Sequence, residues 1–155
     1  MGVDNEINRI LLGMNLFAGC TEENIKTIVR FGKKRKFLKG DHIITEGEDA
    51  PGLFVLLSGE LEVHLPKNSI THNRITDIHL YNMSRGDYVG EFSLIDGKEA
   101  SAEVIVTLDC LIFHISRKDF NSLVNQYDDI AKYIYRNMLE VMVERARKYD
   151  DELDW

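Results

Sequence analysis

Apolar residues at helical spacing predict helices at both ends of the chain. Between residues 5 and 31 they recur in helical register, with an interruption from Gly13 to Cys20, and this periodicity is typical of two short amphipathic helices. Thr21, followed by Glu23, has the chemistry of an N-cap with an acidic first turn and marks the start of the second helix. From 117 to 150 the helical period returns, and beyond Tyr127 no glycine or proline interrupts it. The pattern therefore predicts a long C-terminal helix.

The middle of the chain, residues 35–115, changes to short runs rich in Val, Ile, Leu and Phe that are separated by Gly-Asp, Glu-Gly and Ser-Gly pairs. Apolar runs between turn-forming residues are typical of β-strands. Seven or eight such strands predict a β-sandwich or jelly roll. The runs are 36–38, 42–45, 53–57, 61–65, 76–83, 102–107 and 110–115. The polar stretch 66–74 predicts an exposed, mobile hairpin loop between two strands.

Size and cysteine content favour one domain without covalent or metal staples. A chain of 155 residues with 44% hydrophobic composition is long enough to close one core, so we expect a single domain over 1–155. Cys20 and Cys110 lie far apart and lack the spacing of a zinc site or a disulfide framework. Both are therefore predicted to be buried thiols.

The charge balance and the lack of long apolar runs limit the partners. The chain has 19 basic and 26 acidic residues and a formal net charge of −7. This balance repels a phosphate backbone, so we expect no binding to nucleic acid. No apolar run approaches the length of a membrane span, and the N-terminal residues lack the pattern of a signal peptide. We therefore expect no membrane association and a cytoplasmic location.

One glycine-containing segment points to a known family. Residues 86–95 read GDYVGEFSLI and continue through DGKEASA into the predicted strand at 103–106. This segment resembles the phosphate-binding cassette of the cyclic-nucleotide-binding family, in which Gly-Glu opens a short helix and a Pro-Arg-Ser/Ala-Ala stretch follows the loop. Segments 16–19, 38–47, 53–61 and 116–120 also look like the family's turn glycines, strands and following helix. The resemblance implies a mainly β fold, a β-roll with N-terminal helices and a long C-terminal helix.

The resemblance also implies a ligand site at this cassette, for a cyclic nucleotide (cyclic AMP or cyclic GMP) or another small anion. A helix that starts after Gly90 presents unpaired N–H groups to a phosphate, and small residues let the ligand approach the backbone closely. Glu91 either accepts hydrogen bonds from a ribose hydroxyl, as in the family, or caps the same helix. The candidate ligand-binding residues are Gly90, Glu91, Phe92, Ser93, Lys98, Ala100, Ser101, Ala102 and Arg145.

The chain departs from the family's pattern at the phosphate contact. Ala100 stands where the family has an arginine, and Glu99 where it has a proline. A charge-assisted hydrogen bond contributes about 1.5–3 kcal/mol, which is about ten- to a hundredfold in affinity. We therefore expect cyclic AMP to bind weakly or not at all. Lys98 either supplies a substitute charge, without the planar fork of a guanidinium, or belongs to a solvated loop tip.

The apolar arc of the C-terminal helix predicts self-association. At about 100° per residue, its apolar residues cover about half the circumference, which is wider than one packing partner requires. We therefore expect a homodimer with symmetric contacts along Ile134, Met138, Val141 and Met142. Arg145 falls near the middle of this arc. It either faces the ligand, as the resemblance implies for this helix, or extends past the packed surface or pairs with Glu103 or Glu144.

Together these features predict a small-ligand-sensing regulatory module, not an enzyme. The chain has no Ser-centred elbow, no P-loop lysine and no pair of histidines at metal-ligand spacing, which are the usual signs of catalysis. The acidic end at 150–155 favours a sensor without a DNA-binding helix-turn-helix. The alternative is a ligand-free dimerisation or protein-interaction module on the same fold, which the Ala100 departure favours.

Overall fold

The computed structural model describes residues 2–153 of the chain. The N-terminal part comprises α1 (Gly2–Leu12), a 3-10 turn (Asn15–Phe17) and α2 (Glu22–Arg30). The described strands are β1 (Lys33–Phe37), β2 (His42–Ile44), β3 (Gly52–Leu65), β4 (Ile78–Met83), β5 (Tyr88–Val89) and β6 (Glu103–Ser116). The remaining helices are α3 (Glu91–Asp96), between β5 and β6, then α4 (Arg117–Gln126) and α5 (Asp128–Leu153).

The strands form one antiparallel sheet built around the two long strands. β6 pairs with β1, β2 and β3, and β3 pairs in addition with β4 and β5. The side chains enclosed by these pairings form a hydrophobic cluster, whose most buried members are Phe54, Leu56, Leu61, Val106 and Ile112. A roll of antiparallel strands, preceded and followed in the chain by helices, confirms the predicted fold class.

The number of strands differs from the prediction, because the residues between 102 and 115 and those between 53 and 65 each form one strand. Gly59 has a left-handed φ of +93°, and a Cβ there would lie 2.3 Å from the Asp109 carbonyl oxygen. The register between β3 and β6 shifts on both sides of this glycine. A glycine in this conformation forms a bulge that bends a strand without ending it. The Ser-Gly pair therefore marks a bend, not a turn.

The chain divides into two compact units: the helical unit, made of the described residues within Met1–Val29 and Leu123–Trp155, and the roll unit, Arg30–Ser122. In the helical unit, the Asn24 amide N–H donates to Thr21 Oγ1 (3.1 Å), and the Thr21 N–H donates to Asn24 Oδ1 (3.0 Å). This reciprocal pair is a capping box, which confirms the predicted N-cap of α2. Asn137 of α5 donates to the carbonyl oxygens of Leu16 (2.7 Å) and Ala18 (3.0 Å).

The exposure of α5 corrects the predicted dimer contacts. Ile134 and Met138 are 0% and 1% exposed in the single chain, so neither side chain is available to a second copy. The large apolar side chains of α5 that remain exposed are Leu139, Val143 and Tyr149. For these two residues the prediction was wrong, because one apolar arc on a helical wheel does not distinguish the covered part from the free part, whereas Val141 and Met142 are only partly buried. No helix among residues 2–153 combines the length and apolarity needed to cross a bilayer.

Candidate ligand site

The first wall of the candidate site starts where β5 passes into α3. β5 pairs with β3 through Phe54 and Val89, and the chain then turns at Gly90, whose φ is +97°. A Cβ at this position would lie 2.0 Å from the Gly52 carbonyl oxygen, so no larger residue fits. The close approach of Gly90 to Gly52 fixes where α3 begins.

The short helix α3 carries two buried polar side chains. Glu91 is 6% and Ser93 4% exposed, whereas Phe92 between them is 46% exposed. The N–H groups of the first helical turn have no acceptor within the helix. The helix ends at Gly97, whose N–H donates to the Ser93 carbonyl oxygen (2.9 Å).

The second wall is the segment from Ala100 to Ala102, which a neighbouring turn holds through its backbone. The Gly47 N–H donates to the Ala100 carbonyl oxygen, and the Ala100 N–H donates to the Glu48 carbonyl oxygen, each at 2.9 Å. Ala100 itself is 7% exposed. The N–H and the carbonyl oxygen of Ala100 are thus both hydrogen-bonded, and its methyl group is buried.

A small open cavity of about 50 Å³ lies between these two walls. The buried side chains of Val63, Val89 and Val104 form part of its apolar lining. Ligand pockets that enclose a drug-sized molecule have volumes of about 300–1,000 Å³. The space between the two walls is therefore much smaller than a pocket that encloses a whole drug-sized ligand. The full lining is Ile44, Ala50, Val63, Tyr81, Val89, Gly90, Glu91, Phe92, Ser93, Ala100, Ser101, Ala102 and Val104.

Seven of the nine predicted site residues line this one cavity: Gly90, Glu91, Phe92, Ser93, Ala100, Ser101 and Ala102. Lys98 is exposed and does not belong to the lining, and its N–H donates to Asp96 Oδ1 (2.9 Å). That placement favours the solvated loop tip over a substitute phosphate contact. Arg145 is half-buried on α5, in the helical unit, and its role toward a ligand stays a prediction.

The described lining of the cavity contains one acidic side chain and no basic one. Among the described residues that line the cavity, Glu91 is the one charged side chain, and no lysine or arginine is present. Ala100, which the resemblance aligns with the family's arginine, is buried. An anion that enters this cavity would meet backbone N–H groups but no basic side chain of the described lining, so it would lack a charge-assisted hydrogen bond from that lining.

A charged cluster outside the lining was not predicted. Glu46, 1% exposed, accepts hydrogen bonds from Arg74 Nη1 at Oε1 (2.9 Å) and from Arg74 Nη2 at Oε2 (2.7 Å). Ser69 Oγ also donates to Glu46 Oε1, and His72 Nδ1 lies 3.5 Å from the same oxygen. These hydrogen bonds, first of all that from Arg74, hold the pKa of Glu46 below its ordinary value. Glu46 and Arg74 are far apart in the sequence, so no local motif predicts their contact.

Comparisons with known proteins agree with this geometry. The family model of the cyclic nucleotide-binding domain matches residues 34–127. The cGMP-dependent protein kinase 2 of Mus musculus is 28% identical over 134 residues, which are 84% of this chain and 17% of the kinase. The cyclic AMP receptor protein of Thermus thermophilus is 25% identical over 142 residues, 92% of this chain and 62% of that protein. The chain thus spans a small part of the kinase and less than two thirds of the receptor protein.

A solved structure supports the fold over nearly the whole chain. The cyclic nucleotide-binding domain from Methylobacillus flagellatus superimposes with a TM-score of 0.78 at 22% identity, covering 97% of this chain and 82% of that one. The family model spans both walls of the cavity, from before β2 to the end of α4, and more than half of the chain. The chain therefore belongs to the cyclic nucleotide-binding domain family.

Proposed function

We propose that this protein is a regulatory module that takes up a cyclic nucleotide, cyclic AMP or cyclic GMP, weakly at the cavity between α3 and Ala100. The observation that carries the proposal is the buried pair Glu91 and Ser93, which lines the same cavity as the small residues Ala100, Ser101 and Ala102. The names of the relatives supply the ligand class, because one is a cGMP-dependent kinase and another a cyclic AMP receptor protein.

Weak binding follows from the lining of the cavity. The phosphate would be held by backbone N–H groups at the start of α3 and by the Ser101 hydroxyl, without a guanidinium. The missing charge-assisted contact is worth about 1.5–3 kcal/mol. A cyclic nucleotide is therefore expected to bind with a dissociation constant above the submicromolar range.

The module is proposed to bind its ligand without converting it. Burial raises the pKa of the Cys20 thiol to about 11, and it also raises the pKa of the Cys110 thiol, so neither is an activated nucleophile. Among the described residues, no group of three His, Cys, Asp or Glu side chains is arranged to hold a metal ion. The described lining of the cavity contains one acidic residue, Glu91, and no histidine, cysteine or lysine. These are side chains that often serve as general acids or bases.

We propose that two copies of the module form a homodimer through α5. Tyr135, Leu139, Met142, Ala146 and Tyr149 follow the alternating spacing of three and four residues that coiled-coil seams use. Leu139 and Tyr149 are 60% and 53% exposed. This stripe is distinct from the buried side chains Ile130, Ile134 and Met138 of the same helix, and a second copy of the chain has the matching stripe for symmetric contact.

A titration followed by NMR tests the ligand assignment. Cyclic AMP and cyclic GMP are added separately to ¹⁵N-labelled protein, and 5′-AMP and inorganic phosphate serve as controls. We expect saturable shifts of the Gly90, Ser93 and Ala102 amides with a cyclic nucleotide. No shift of these amides with either cyclic nucleotide would contradict the proposal and favour the ligand-free interaction module, which the small size of the cavity supports.

The variant Glu91→Gln separates the two roles of Glu91, because glutamine keeps the size of the side chain and removes its charge. If Glu91 accepts a hydrogen bond from a ribose hydroxyl, Glu91→Gln lowers the affinity for the cyclic nucleotide while thermal stability changes little. If Glu91 caps α3, stability falls and affinity is unchanged at a temperature where the variant is folded.

A further inference from the structure

The polar loop between β3 and β4, residues 66–77, is exposed but internally hydrogen-bonded. The Arg74 N–H donates to the Lys67 carbonyl oxygen (2.6 Å), and the Lys67 N–H donates to Asp77 Oδ1 (2.5 Å). Asn68 and Asn73 form an isolated antiparallel bridge. The loop therefore has a defined conformation, which fixes the direction of the Arg74 side chain.

Arg74 is aimed at the interior of the roll. Its guanidinium holds both carboxylate oxygens of Glu46 in a fork, and Nη1 donates in addition to the Pro66 carbonyl oxygen (2.8 Å). The Arg74 side chain is 16% exposed and that of Glu46 1%. A carboxylate so deeply buried must be paired, since its desolvation is otherwise uncompensated. The planar fork supplies this pairing with a fixed orientation.

Glu46 is also tied at its backbone to the start of β6. Its N–H donates to Glu103 Oε1 (2.9 Å), while Glu103 Oε2 lies 3.0 Å from His42 Nδ1. Glu46 is thus fixed at two points, through its carboxylate by the loop and through its amide by β6. These two points leave the turn that follows it little freedom.

That turn holds the cassette. The next residue, Gly47, donates its N–H to the Ala100 carbonyl oxygen, and Glu48 accepts the Ala100 N–H. Gly47 has a φ of +87°, and a Cβ there would lie 3.1 Å from Thr71 Cγ2 and 3.2 Å from Ile70 Cβ. The loop therefore packs directly on the turn whose carbonyl and amide fix Ala100.

We propose that Arg74 is a positioning residue for the ligand cassette, which it holds in place through Glu46 and the turn at Gly47 and Glu48. The order of contacts runs from the guanidinium to the buried carboxylate, then along two residues of backbone to the two hydrogen bonds of Ala100. Arg74 does not line the cavity and acts on the ligand through Ala100, Ser101 and Ala102. The effect on ligand binding rests on the proposed function, but the positioning of Ala100 does not.

Amide hydrogen exchange tests the positioning directly, without any ligand. Arg74→Met removes the charge and the fork but keeps the apolar stem. We expect exchange of the Gly47 and Ala100 amides to accelerate at least about tenfold relative to the Leu56 and Val106 amides, which bond to carbonyls elsewhere in the roll. Unchanged relative protection of Gly47 and Ala100 in a folded Arg74→Met protein would overturn the proposal.

Three matched variants make the test specific. Lys67→Met removes an exposed cation from the same loop and is expected to leave both amides unchanged. Ile112→Val weakens the packing of the roll's own core, where Ile112 is fully buried, and is expected to change the four amides in common. Arg74→Lys keeps the charge without the fork, so it should accelerate Gly47 and Ala100 by less than Arg74→Met. If Arg74→Met does not fold, Arg74→Lys and Ser69→Ala decide: no selective acceleration in either would overturn the proposal.

The ligand readout comes last. With cyclic AMP or cyclic GMP as the probe, Arg74→Met should lower affinity about tenfold, because the competent cassette is populated less often, while Lys67→Met leaves it unchanged. An equal loss in both variants would overturn the link to binding. If the unchanged protein binds neither nucleotide, the proposed function fails, whereas the exchange rates still decide the role of Arg74.

Discussion

The cassette loop, residues 97–101, and the hairpin loop, residues 66–77, are both polar and largely exposed, but they use charge in opposite ways. The cassette loop faces a cavity to which it contributes no cation, and its lysine, Lys98, is exposed to solvent. The hairpin loop turns Arg74 inward onto the buried carboxylate of Glu46. The Arg74 guanidinium is therefore committed to the protein itself.

This difference separates two functions, binding an anion and ordering the loop. Here Ala100 retains the ordered backbone, with its N–H and carbonyl both bonded to the turn at Gly47 and Glu48, but lacks the charge for the ligand. Under the proposed function, this cassette would keep the backbone of a phosphate site and attract a phosphate only weakly. Each of the following changes is expected to affect one of the two functions and not the other.

The largest expected effect is at the start of α3. In Gly90→Ala the new methyl group would lie 2.0 Å from the Gly52 carbonyl oxygen at a φ of +97°, so the turn at Gly90 must move away from the start of β3. Gly97→Ala is the matched control, because Gly97 also has a positive φ, +71°, but no described atom lies within 4 Å of the position that its Cβ would take. The control should lose about 1–2 kcal/mol from backbone strain alone, and Gly90→Ala clearly more. Equal losses in urea unfolding would refute the steric anchor.

The second effect is the pH dependence of the Arg74 contact. Because the pKa of Glu46 is lowered in the folded protein, the contribution of this carboxylate to stability is complete above its ordinary pKa of 4.5 and is lost as the pH falls through the lowered folded value. Arg74→Met should therefore melt well below the unchanged protein at neutral pH, and the gap should narrow at about pH 3. Lys67→Met should show no gap at either pH. A gap of constant size would mean that Arg74 stabilises through packing and not through the ion pair.

The third effect concerns self-association. If two copies meet along α5, as proposed, changes on this helix should weaken the dimer and leave the two loops unchanged. The double change Leu139→Glu and Tyr149→Glu, at the two exposed large side chains of the proposed stripe, should weaken the dimer at least about a hundredfold, because each large side chain contributes about 1.5–3 kcal/mol when buried. The protein should remain folded, since both side chains are exposed in the single chain. Lys148→Glu, on the opposite side of the helix, is the control. Sedimentation that shows a monomer of the unchanged protein at tens of micromolar would contradict the dimer.

The residues of the cassette were predictable because they lie together in the sequence. Gly90 and Glu91 open α3 and Ala100 to Ala102 follow within a dozen positions, so local pattern and family resemblance placed all of them on one cavity. The contact of Glu46 with Arg74 was not predictable, because 28 positions separate the partners and the polar loop that carries Arg74 has no period. The pattern predicted a mobile loop, whereas the structure shows it hydrogen-bonded to a buried carboxylate.

The errors in the fold have a similar origin. The bend of β3 at Gly59 depends on the close approach of the Asp109 carbonyl oxygen, which is distant in sequence, so the local pattern indicated a turn. The contacts of α5 were predicted wrongly because Ile134 and Leu139 are both large aliphatic residues of one helix. The sequence alone does not distinguish that Ile134 is buried and Leu139 exposed. In both cases a tertiary contact decided between two outcomes that the local sequence allowed equally.

The smallest change, one side chain in the cassette loop, tests the division of the two functions most directly. Calorimetric titration with cyclic AMP and cyclic GMP compares the unchanged protein, Ala100→Arg and the uncharged control Ala100→Gln. We expect no submicromolar binding by the unchanged protein and an affinity at least about tenfold higher for Ala100→Arg than for Ala100→Gln, from the restored charge-assisted contact. Submicromolar binding by the unchanged protein, or no gain in Ala100→Arg over Ala100→Gln, would contradict a cassette that has kept its shape and lost only its cation.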